Sequence, residues 1–590
     1  MFRRALKNIL RKELLDKCQS DQKIFARTIL TSQRTFYKPN LADSENDIFV
    51  YSPLPSINYP DISIDQYVWN DFNKWTSKTA VVDGVTERAI TYGQLRDRCR
   101  ALAIRLQSVF HLNHNDTIAV CLPNSIEFPI VALAGLEAGF IVTTVNPIYT
   151  ADEISRQLND SGAKVIFGLA SMSNVLRQAV AMTKKPIRVV YCKETESEAL
   201  PVDGVNFNDL ISTEGIDLGS LKTFDIDADD VAMLPYSSGT TGLSKGVKLS
   251  HKNIVSNSMQ INSDTGKGCL TYPAIGTHQD VLPCVLPFFH IYGLTCTLLS
   301  KLAHGCKLVT LPRFTPDTFL NVLEKHDSSV LYLVPPIIIF MSNCDKLQEK
   351  HTKSIKYVMS GAAPIGSLDA DRFNLKAPNA KFFQGYGLTE AAPVALMSVL
   401  GSNNHASVGF PTPDGEAKIV LVGDTEFRGV GPNVSGELLV RGPQVMKGYH
   451  NNEKATNETI TADGWLRTGD IGHYDENFEF YITDRLKELI KVKGFQVPPA
   501  ELEEILRNHP DIADAAVIGI PHPTAGELPR AYVVAKNKKL TEKDVKKFVS
   551  KKVAEYKRLE GGVEFVDVIP KNATGKILRR ELKDRYKSST

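Results

Sequence analysis

The sequence predicts an α/β protein with a large N-terminal domain of two related βαβ sheet-and-helix subdomains plus a small β-barrel-like part, followed by a small α+β C-terminal domain. Two observations support this prediction. Short β-branched runs alternate with amphipathic helical patterns over much of the chain, and the pattern then changes twice towards the C-terminus. The chain has 590 residues, 43% of them hydrophobic and 23% charged, which excludes a disordered or fibrous protein and allows several domains.

The first subdomain is indicated by a strand–helix–strand order. Strands are expected over residues 164–169 and 187–191, and the amphipathic stretch 171–182 lies between them. Strands connected through a helix are typical of parallel sheets in α/β domains. The same order returns in a second, related unit over residues 307–311, 315–326 and 330–333.

Later in the chain the pattern changes at two places. From Gly415, short runs at 417–422 and 436–440 are divided by glycine and proline clusters, which predicts the β-barrel-like part. After Asp484 the charge shifts, because residues 485–590 hold 23 Lys and Arg against 15 Asp and Glu. The elements expected in this basic region are helices over 501–508 and 541–553 and strands over 515–520 and 531–535.

These shifts divide the chain into an N-terminal extension at 1–45, an N-terminal domain at 46–484 and a C-terminal domain at 485–590. The extension begins MFRRALKNILRK, which places apolar residues on one helical face and basic residues on the rest. This pattern is typical of a mitochondrial transit peptide, and a surface helix with a solvated basic face is the alternative. We therefore expect a mitochondrial protein, with a cytoplasmic location as the alternative.

Charge and composition exclude several function classes. The formal net charge of +2 and the pI of about 7.9 give no reason to expect a nucleic-acid partner. The nine cysteines include no C-x-x-C pair, so no zinc site is expected. The longest apolar stretch, 281–299, contains Pro283, Pro287 and His290, so we expect no transmembrane segment. The length leaves room for an enzyme that works in several steps.

The strongest local motif is YSSGTTGLSKG at residues 236–246, which follows an apolar run. Its glycines allow sharp turns with inward N–H groups, its hydroxyls add donors, and Lys245 supplies positive charge, as a polyphosphate requires. It is not the Walker pattern, because Ser244 stands five residues after Gly239. A flexible Ser/Gly loop is the alternative. The candidate phosphate-binding residues are Ser237, Ser238, Gly239, Thr240, Thr241, Gly242 and Lys245.

This run resembles the phosphate-binding loop of the adenylate-forming superfamily, which includes acyl-CoA synthetases, 4-coumarate-CoA ligases, firefly luciferases and peptide-synthetase adenylation domains. Further motifs similar to those of the family follow in order from about residue 91 to the end, and the likeness is strongest to the 4-coumarate-CoA ligase-like branch. They are AGFIVTTVNPIY at 138–149, PFFHIY at 287–292, GAAP at 361–364, QGYGLTE at 384–390, the segment 436–449, GWLRTGD at 464–470, DRLKELIKVKGFQ at 484–496 and PKNATGKILRR at 570–580.

The resemblance implies a binding site for ATP and AMP. Thr389 can donate to a phosphate and Glu390 offers a hard carboxylate, so this pair is similar to the family's site for Mg²⁺ and the α-phosphate, whereas alone it would be an ordinary helix start. Asp470 and Arg485 match the residues that hold the ribose and phosphate region. The remaining matches, which lie along the adenine and its surroundings, are Gly361, Ala362, Ala363, Pro364, Gln384, Gly385, Tyr386 and Gly387.

Lys576 matches the family's catalytic lysine. A carboxylate that attacks a triphosphate meets like-charge repulsion, and a cation between the two anions lowers that barrier. A solvated basic helix is the alternative, and it suits Arg579, Arg580 and Lys583 well. His290 resembles the aromatic gate at the carboxylate end of the acyl pocket, with a buried core histidine as the alternative.

The resemblance also implies two half-reactions and a mobile C-terminal domain, since a reactive acyl-adenylate must be shielded from water and later meet a thiol. Asp484 and Lys487 match the hinge. Lys491, Lys493 and Gly494 match the segment that receives CoA, where the glycine leaves room for the pantetheine arm. The matches to the acyl pocket are Tyr292, Pro393 and Val394.

We therefore interpret the chain as an ATP-dependent carboxylic acid:CoA ligase that forms an acyl-adenylate and then a thioester, with Mg²⁺, ATP and CoA. The expected substrate is a hydrophobic acid, either aromatic or a medium- or long-chain fatty acid, which would place the enzyme in fatty acid metabolism. A luciferase-like oxidative enzyme on the same scaffold and a non-catalytic acyl-nucleotide binding protein are the alternatives. Neither the acid nor the oligomeric state follows from the sequence.

Overall fold

The computed structural model describes residues 41–44, 47–195, 197–201, 204–237, 244–264, 270–363, 365–400, 402, 404–493, 495–572 and 575–589. The predicted transit peptide lies outside these residues and stays a prediction. The strand Leu41–Ser44 is the first element described, and it pairs with Asp47–Tyr51.

The largest of the sheets is mixed and contains the first predicted βαβ unit. Val165–Leu169 pairs in parallel with Arg188–Cys192, and the helix Ser173–Thr183 connects them, as predicted. In the described part of the chain its strands follow the order Tyr236–Ser237, Lys245–Ser250, Val231–Met233, Ile141–Thr144, Thr117–Cys121, Val165–Leu169, Arg188–Cys192 and Val205–Asn206, with Gly448–Tyr449 paired to Lys245–Ser250.

The second predicted unit is divided between two further sheets. Its two strands and its helix all occur, but the two strands do not pair with each other. Lys307–Thr310 and Val330–Leu333 belong to different sheets because Val281–Cys284 lies between them: it pairs with the first strand, and Val281 O accepts a bond of 2.9 Å from Ser329 N. The first of these sheets consists of Val281–Cys284, Lys307–Thr310, Thr79–Asp83 and Ala89–Thr91. The second consists of Val330–Leu333, Tyr357–Ser360, Lys381–Gly387, Val394–Met397 and Phe410–Pro411.

The predicted β-rich part is an antiparallel sheet. Its neighbouring strands pair antiparallel, with partners such as Ala417 and Val440, and the register shifts once in each pairing of Leu466–Tyr474. In order, the strands are Leu41–Ser44, Asp47–Tyr51, Glu416–Val420, Gly436–Arg441, Leu466–Tyr474 and Phe480–Arg485.

The C-terminal region has its own sheet and its own core. Val517 and Ile518 alternate between the two faces of the strand Ile512–His522, and each belongs to a separate hydrophobic cluster. The first cluster includes Leu502 and Val545 from two helices, and the second includes Leu582. The strands are Phe495–Val497, Ile490–Val492, Gly526–Ala535, Ile512–His522 and Val563–Phe565. The fold class predicted from the sequence, a large α/β N-terminal domain and a small α+β C-terminal domain, is thereby confirmed.

Helices cover the sheets, and many begin at a side-chain cap. Ser250 Oγ accepts a bond from Asn253 N while Asn253 Oδ1 accepts one from Ser250 N, a capping box that starts the helix His251–Asn262. The other α-helices described are Ile64–Trp69, Tyr92–Ser108, Glu127–Glu137, Ala151–Ser161, Ser173–Thr183, Phe207–Ile211, Ser300–Leu302, Pro316–Lys325, Pro335–Asn343, Glu349–Thr352, Ser367–Lys376, Glu453–Thr459, Pro499–Arg507, Glu542–Ser550 and Arg579–Ser589. Among the helices described, none is long and apolar enough to span a bilayer.

Candidate active site

The candidate site lies where three parallel strands end. Val330–Leu333, Tyr357–Ser360 and Lys381–Gly387 pair in parallel, so their carboxyl ends share one edge. Ligands of open α/β sheets bind at this edge. Gly361 directly follows the second strand and Tyr386 lies at the end of the third, so the GAAP and QGYGLTE motifs meet there.

Asp470 is held between two predicted partners. Tyr386 OH donates to its Oδ2 at 2.6 Å, and Arg485 Nε lies 3.1 Å from its Oδ1. Asp470 and Arg485 are opposite each other on paired strands, which fixes this ion pair. Burial raises the pKa of the Asp470 carboxyl, and the charge of Arg485 and the bond from Tyr386 oppose that rise. The predicted ribose-binding pair is therefore a preformed polar cluster.

The structure brings Lys576 to the same cluster. Its side chain is half-buried, and the charges of Asp470, Arg485 and Glu488 act on it. Burial, together with the positive charge of Arg485, lowers the pKa of Lys576 to about 8, against the opposing effect of the two carboxylates. Lys576 is therefore partly buried beside charged groups, and its catalytic role stays a prediction.

The loop that presents Lys576 packs closely on the N-terminal domain. Asn572 closes the loop, because its Oδ1 accepts from Lys576 N at 2.8 Å and its N–H donates to Lys576 O at 2.9 Å. A Cβ atom on Gly575 would lie 2.7 Å from Pro336 Cγ, and Gly575 has a φ of 79°. Only glycine fits both this approach and this backbone conformation.

Glu390 is the acidic residue of the predicted nucleotide-binding motifs. It lies in the short 3₁₀ segment Thr389–Ala391, and its Oε1 accepts from Ser237 Oγ and from Tyr449 OH, each at 2.9 Å. Lys245 Nζ lies 4.3 Å from the centre of the Tyr449 ring. Ser237 and Lys245 are paired across two neighbouring strands, so Ser237 contacts Glu390 directly and Lys245 lies beside Tyr449, which also bonds to Glu390.

The donor set around Glu390 fits Mg²⁺ bound to nucleotide phosphates. The described part of the chain contains no group of three or more His, Cys, Asp or Glu residues that could hold a metal by themselves. Mg²⁺ commonly binds through one or two carboxylates with substrate phosphates as the other ligands. A single buried carboxylate beside Thr389 matches that mode of binding.

Tyr292, a predicted residue of the acyl pocket, lies against the predicted adenine segment. Its OH donates to Met359 O at 3.4 Å, and a Cβ on Gly361 would lie 3.0 Å from its phenol ring. Val394 is opposite Gly387 in the antiparallel pair, where a Cβ on Gly387 would lie 2.0 Å from Pro393 O. Small residues therefore let these backbones approach. Tyr292 begins a π-helix, Tyr292–Leu299, a conformation often found at functional sites.

His290 precedes this π-helix and is partly buried. Its Nδ1 accepts from Tyr292 N at 3.2 Å, and burial lowers the pKa of the imidazole to about 4. The ring is therefore neutral at pH 7. Its predicted role as a gate stays a prediction.

The predicted hinge and CoA residues have different surroundings. Asp484 Oδ2 accepts from Ala500 N at 2.8 Å, and burial raises the pKa of Asp484 to about 6. Lys487 lines a cleft of about 350 Å³ with Lys491. Lys491 and Lys493 have exposed side chains on the hairpin of residues 490–497, and Lys493 N donates to Ala525 O at 2.7 Å. The structure therefore brings Lys576 to Asp470 and leaves both hairpin lysines in solvent.

Other predicted residues complete the site or lie outside the described chain. Gln384 N donates to Ser398 Oγ at 2.9 Å, and a Cβ on Gly385 would lie 2.2 Å from Met359 Cε. Ala362 has a φ of 70° and, with Ala363, follows Gly361 in a bend. The predicted residues outside the described chain are Ser238, Gly239, Thr240, Thr241, Gly242, Pro364 and Gly494.

Sequence reasoning missed several contacts of the site. Arg579 was expected on a solvated basic face, but it is largely buried and pairs with Glu503 at 2.8 Å and with Glu488 at 3.3 Å. That expectation is correct for Arg580, whose side chain is 91% exposed. Tyr449 lies within a motif that matches the family, yet nothing in its local pattern indicates a bond to Glu390. These partners are distant in sequence, so periodicity gives no signal for them.

Comparison with known proteins agrees with this geometry. Residues 68–450 match the family described as AMP-binding enzyme, and residues 501–576 match the AMP-binding enzyme C-terminal domain. The chain is 38% identical to 4-coumarate–CoA ligase 1 of Arabidopsis thaliana over 553 residues, which cover 92% of this chain and 96% of that protein.

Solved structures show the same fold. The ATP-bound MatB of Rhodopseudomonas palustris matches with a TM-score of 0.79 and 26% identity over 90% of this chain and 100% of that chain. The anthranilate CoA ligase AuaEII with anthranoyl-AMP matches in fold, with a TM-score of 0.80 and 22% identity over 90% of this chain and 98% of that chain. The chain thus belongs to the AMP-binding enzyme family and, within it, to the AMP-forming CoA ligases.

Proposed function

We propose that the enzyme joins a hydrophobic carboxylic acid to CoA in two half-reactions, and that the acid is aromatic and similar to 4-coumarate. The observation that carries this proposal is the position of Lys576, half-buried beside Asp470 and Arg485, which the proposal assigns to the boundary between acid and nucleotide. This is the position at which one cation can act on both reactants.

In the first half-reaction a carboxylate oxygen of the acid attacks the α-phosphorus of ATP. The bond from that phosphorus to the bridging oxygen breaks, and pyrophosphate leaves with the electron pair. Both reactants are anions, so the Lys576 ammonium holds them together and stabilises the charge that shifts between them. Since the pKa of Lys576 is about 8, this lysine is mostly protonated at neutral pH.

The nucleotide is held by groups on three sides. Asp470 accepts from the ribose hydroxyls, in a position fixed by Tyr386 and Arg485. Ser237 and Lys245 present the glycine-rich run to the phosphates. Thr389 and Glu390 would hold Mg²⁺, which supplies charge neutralisation on the phosphate oxygens when bound.

In the second half-reaction the sulfur of CoA attacks the acyl carbon of the adenylate. The bond from that carbon to the AMP oxygen breaks, the thiol proton passes to solvent, and AMP leaves. We propose that the C-terminal domain turns about Asp484 and Lys487, so that Lys576 withdraws and the hairpin with Lys491, Lys493 and Gly494 receives CoA. His290, neutral because of burial, would act as the gate between the two states.

The proposed class of acid rests on the residues near Tyr292. Its ring lies against Gly361 at the edge of the site, and Val394 with Pro393 provides an apolar wall. A flat ring beside an aromatic side chain gains stacking or edge contacts that an alkyl chain does not. The relative from Arabidopsis thaliana is named for 4-coumarate, which supports the same class.

The test is a screen of pyrophosphate release with ATP over 4-coumarate, cinnamate, benzoate, octanoate and palmitate, followed by detection of the CoA ester by mass spectrometry. We expect kcat/KM to be highest for the aromatic acids. A preference for octanoate or palmitate would overturn the class of acid but keep the ligase. Absence of acid-dependent pyrophosphate release with every acid would overturn the proposed function.

A further inference from the structure

The helix His251–Asn262 carries a row of buried amides. Asn253, Asn257 and Gln260 are spaced by four and three residues, so they share one face of the helix, and their exposed fractions are 5%, 0% and 0%. A buried amide costs free energy unless its hydrogen bonds are made. These three side chains bond mainly to backbone groups of segments from the candidate site and its neighbours.

Asn257 binds both polar groups of one residue in the proposed acid pocket. Its Nδ2 donates to Val394 O at 2.7 Å, and its Oδ1 accepts from Val394 N at 3.0 Å. The second N–H of the amide donates to Gln260 Oε1 at 3.0 Å. The carboxamide therefore pairs with Val394 as a neighbouring strand would, and both of its N–H groups are used.

Backbone hydrogen bonds and close backbone contacts constrain the segment of residues 387–394. Leu388 N donates to Pro393 O at 3.0 Å, and Ala391 N donates to Leu388 O at 2.9 Å. On its other side, Gly387 lies so near Pro393 that a Cβ added to this glycine would be 2.0 Å from Pro393 O. A shift at Val394 would therefore move the wall of the pocket as a unit.

Glu390 lies in this segment but has supports of its own. Besides the bonds from Ser237 and Tyr449, its backbone O accepts from Met446 N at 2.9 Å. Loss of the Asn257 bonds would therefore disturb the acid side more than the nucleotide side.

We propose that Asn257 is a positioning residue that sets selectivity for the acid, because its carboxamide holds the Pro393–Val394 wall at a fixed distance from Tyr292 and Gly361. The inference rests on the proposed function, since it needs Val394 to contact the acid. Asn257 lies on a helix behind the proposed pocket. In this proposal its side chain contacts neither the acid nor ATP.

The main test is Asn257→Asp, which keeps the size of the side chain and the acceptor for Val394 N but loses the donor to Val394 O. We expect the KM for the acid to rise about tenfold while the KM for ATP changes by less than about twofold, as for a lost buried bond that leaves an unsatisfied carbonyl. The ratio of kcat/KM for 4-coumarate to kcat/KM for octanoate should decrease in parallel.

The pH dependence of Asn257→Asp separates positioning from a general loss of structure. A buried carboxyl has a raised pKa, and its protonated form can again donate to Val394 O. The acid KM of the variant, divided by that of the wild type at the same pH, should therefore fall as the pH is lowered from 8 to 6. Asn257→Leu lacks both bonds at every pH and should show a constant ratio.

Gln279→Leu is the matched control. Gln279 Nε2 also joins two backbone carbonyls, those of Thr79 and Gly305, both at 2.8 Å, but neither belongs to the site. It should lower the melting temperature without changing the acid KM.

An acid KM for Asn257→Asp equal to that of the wild type, or an equal change in the KM of acid and ATP, would overturn the inference. A wild-type enzyme that makes no CoA ester would overturn the proposed function instead.

Discussion

Two segments of the C-terminal domain carry the lysines assigned to the two half-reactions, and their surroundings differ. The loop with Lys576 packs on Pro336, and its lysine lies among Asp470, Arg485 and Glu488. The hairpin with Lys491 and Lys493 has these side chains in solvent. Burial lowers the pKa of Lys576, whereas the side chains of Lys491 and Lys493 are exposed. The proposed function therefore assigns this arrangement to adenylation and requires the hairpin to move before the second step.

Lys576→Ala is expected to have the largest effect on the rates of the two half-reactions. It tests whether the two lysine-bearing segments serve different steps. Pyrophosphate release should fall by about 10²- to 10³-fold, as for the loss of one preorganised charge-stabilising group. Thioester formation from supplied acyl-AMP should stay close to that of the wild type. Both rates can be measured separately by pyrophosphate and free-thiol assays.

Arg580→Ala is the control for this variant, because it removes a cation from the same region whose side chain is 91% exposed. It should leave both rates unchanged. Equal losses in the two half-reactions of Lys576→Ala would contradict the assignment of different lysines to different steps.

Gly494→Trp is expected to give the opposite pattern. Bulk at this glycine should close the path of the pantetheine arm, so thioester formation should slow by about 10- to 100-fold, while pyrophosphate release continues. Gln496→Trp, which adds the same bulk at an exposed position of the hairpin, is the control. A normal rate of thioester formation in Gly494→Trp would remove this segment from the second step.

The pH dependence of pyrophosphate release tests the role of the Lys576 charge in the first half-reaction. The ammonium of Lys576 is present below its pKa of about 8 and is lost above it. Pyrophosphate release should therefore fall by up to about tenfold for each pH unit above that value. Lys576→Arg stays charged, so any residual activity should lack this fall. A wild-type rate that is flat from pH 7 to 10 would contradict the assignment of this fall to a Lys576 that loses its proton near pH 8.

The smallest effect is expected for Tyr386→Phe. Loss of its bond to Asp470 leaves the Arg485 pair in place, so the KM for ATP should rise by about fivefold with little change in kcat. Steady-state kinetics at saturating acid measure this change. An unchanged ATP KM would show that Tyr386 does not orient Asp470.

Local patterns predicted the elements better than their partners. The strand Val330–Leu333 occurs at the predicted residues, since a short apolar run is a local signal. Its pairing was not predictable, because Val281–Cys284 from earlier in the chain lies between the two strands of that unit. The burial of Arg579 also depends on distant partners, Glu488 and Glu503.

The candidate site shows the same division. Lys576, Asp470 and Arg485 were predicted from motifs that resemble the family, and the structure brings them together. Tyr449 and Asn257 act through contacts across the fold, and no spacing in the sequence connects either to its partner. Motifs therefore predict the groups that the proposed function assigns to the substrates, whereas the side chains that contact those groups need the tertiary structure.

The most direct test is a crystal structure of the wild-type enzyme with a non-hydrolysable acyl-adenylate analogue. We expect Lys576 Nζ within about 3.5 Å of both an acyl oxygen and an α-phosphate oxygen, at hydrogen-bonding distance. A bound analogue with the C-terminal domain in its present arrangement, Asp470 and Arg485 in place and Lys576 pointing into solvent would contradict the central claim that this one cation joins the two reactants.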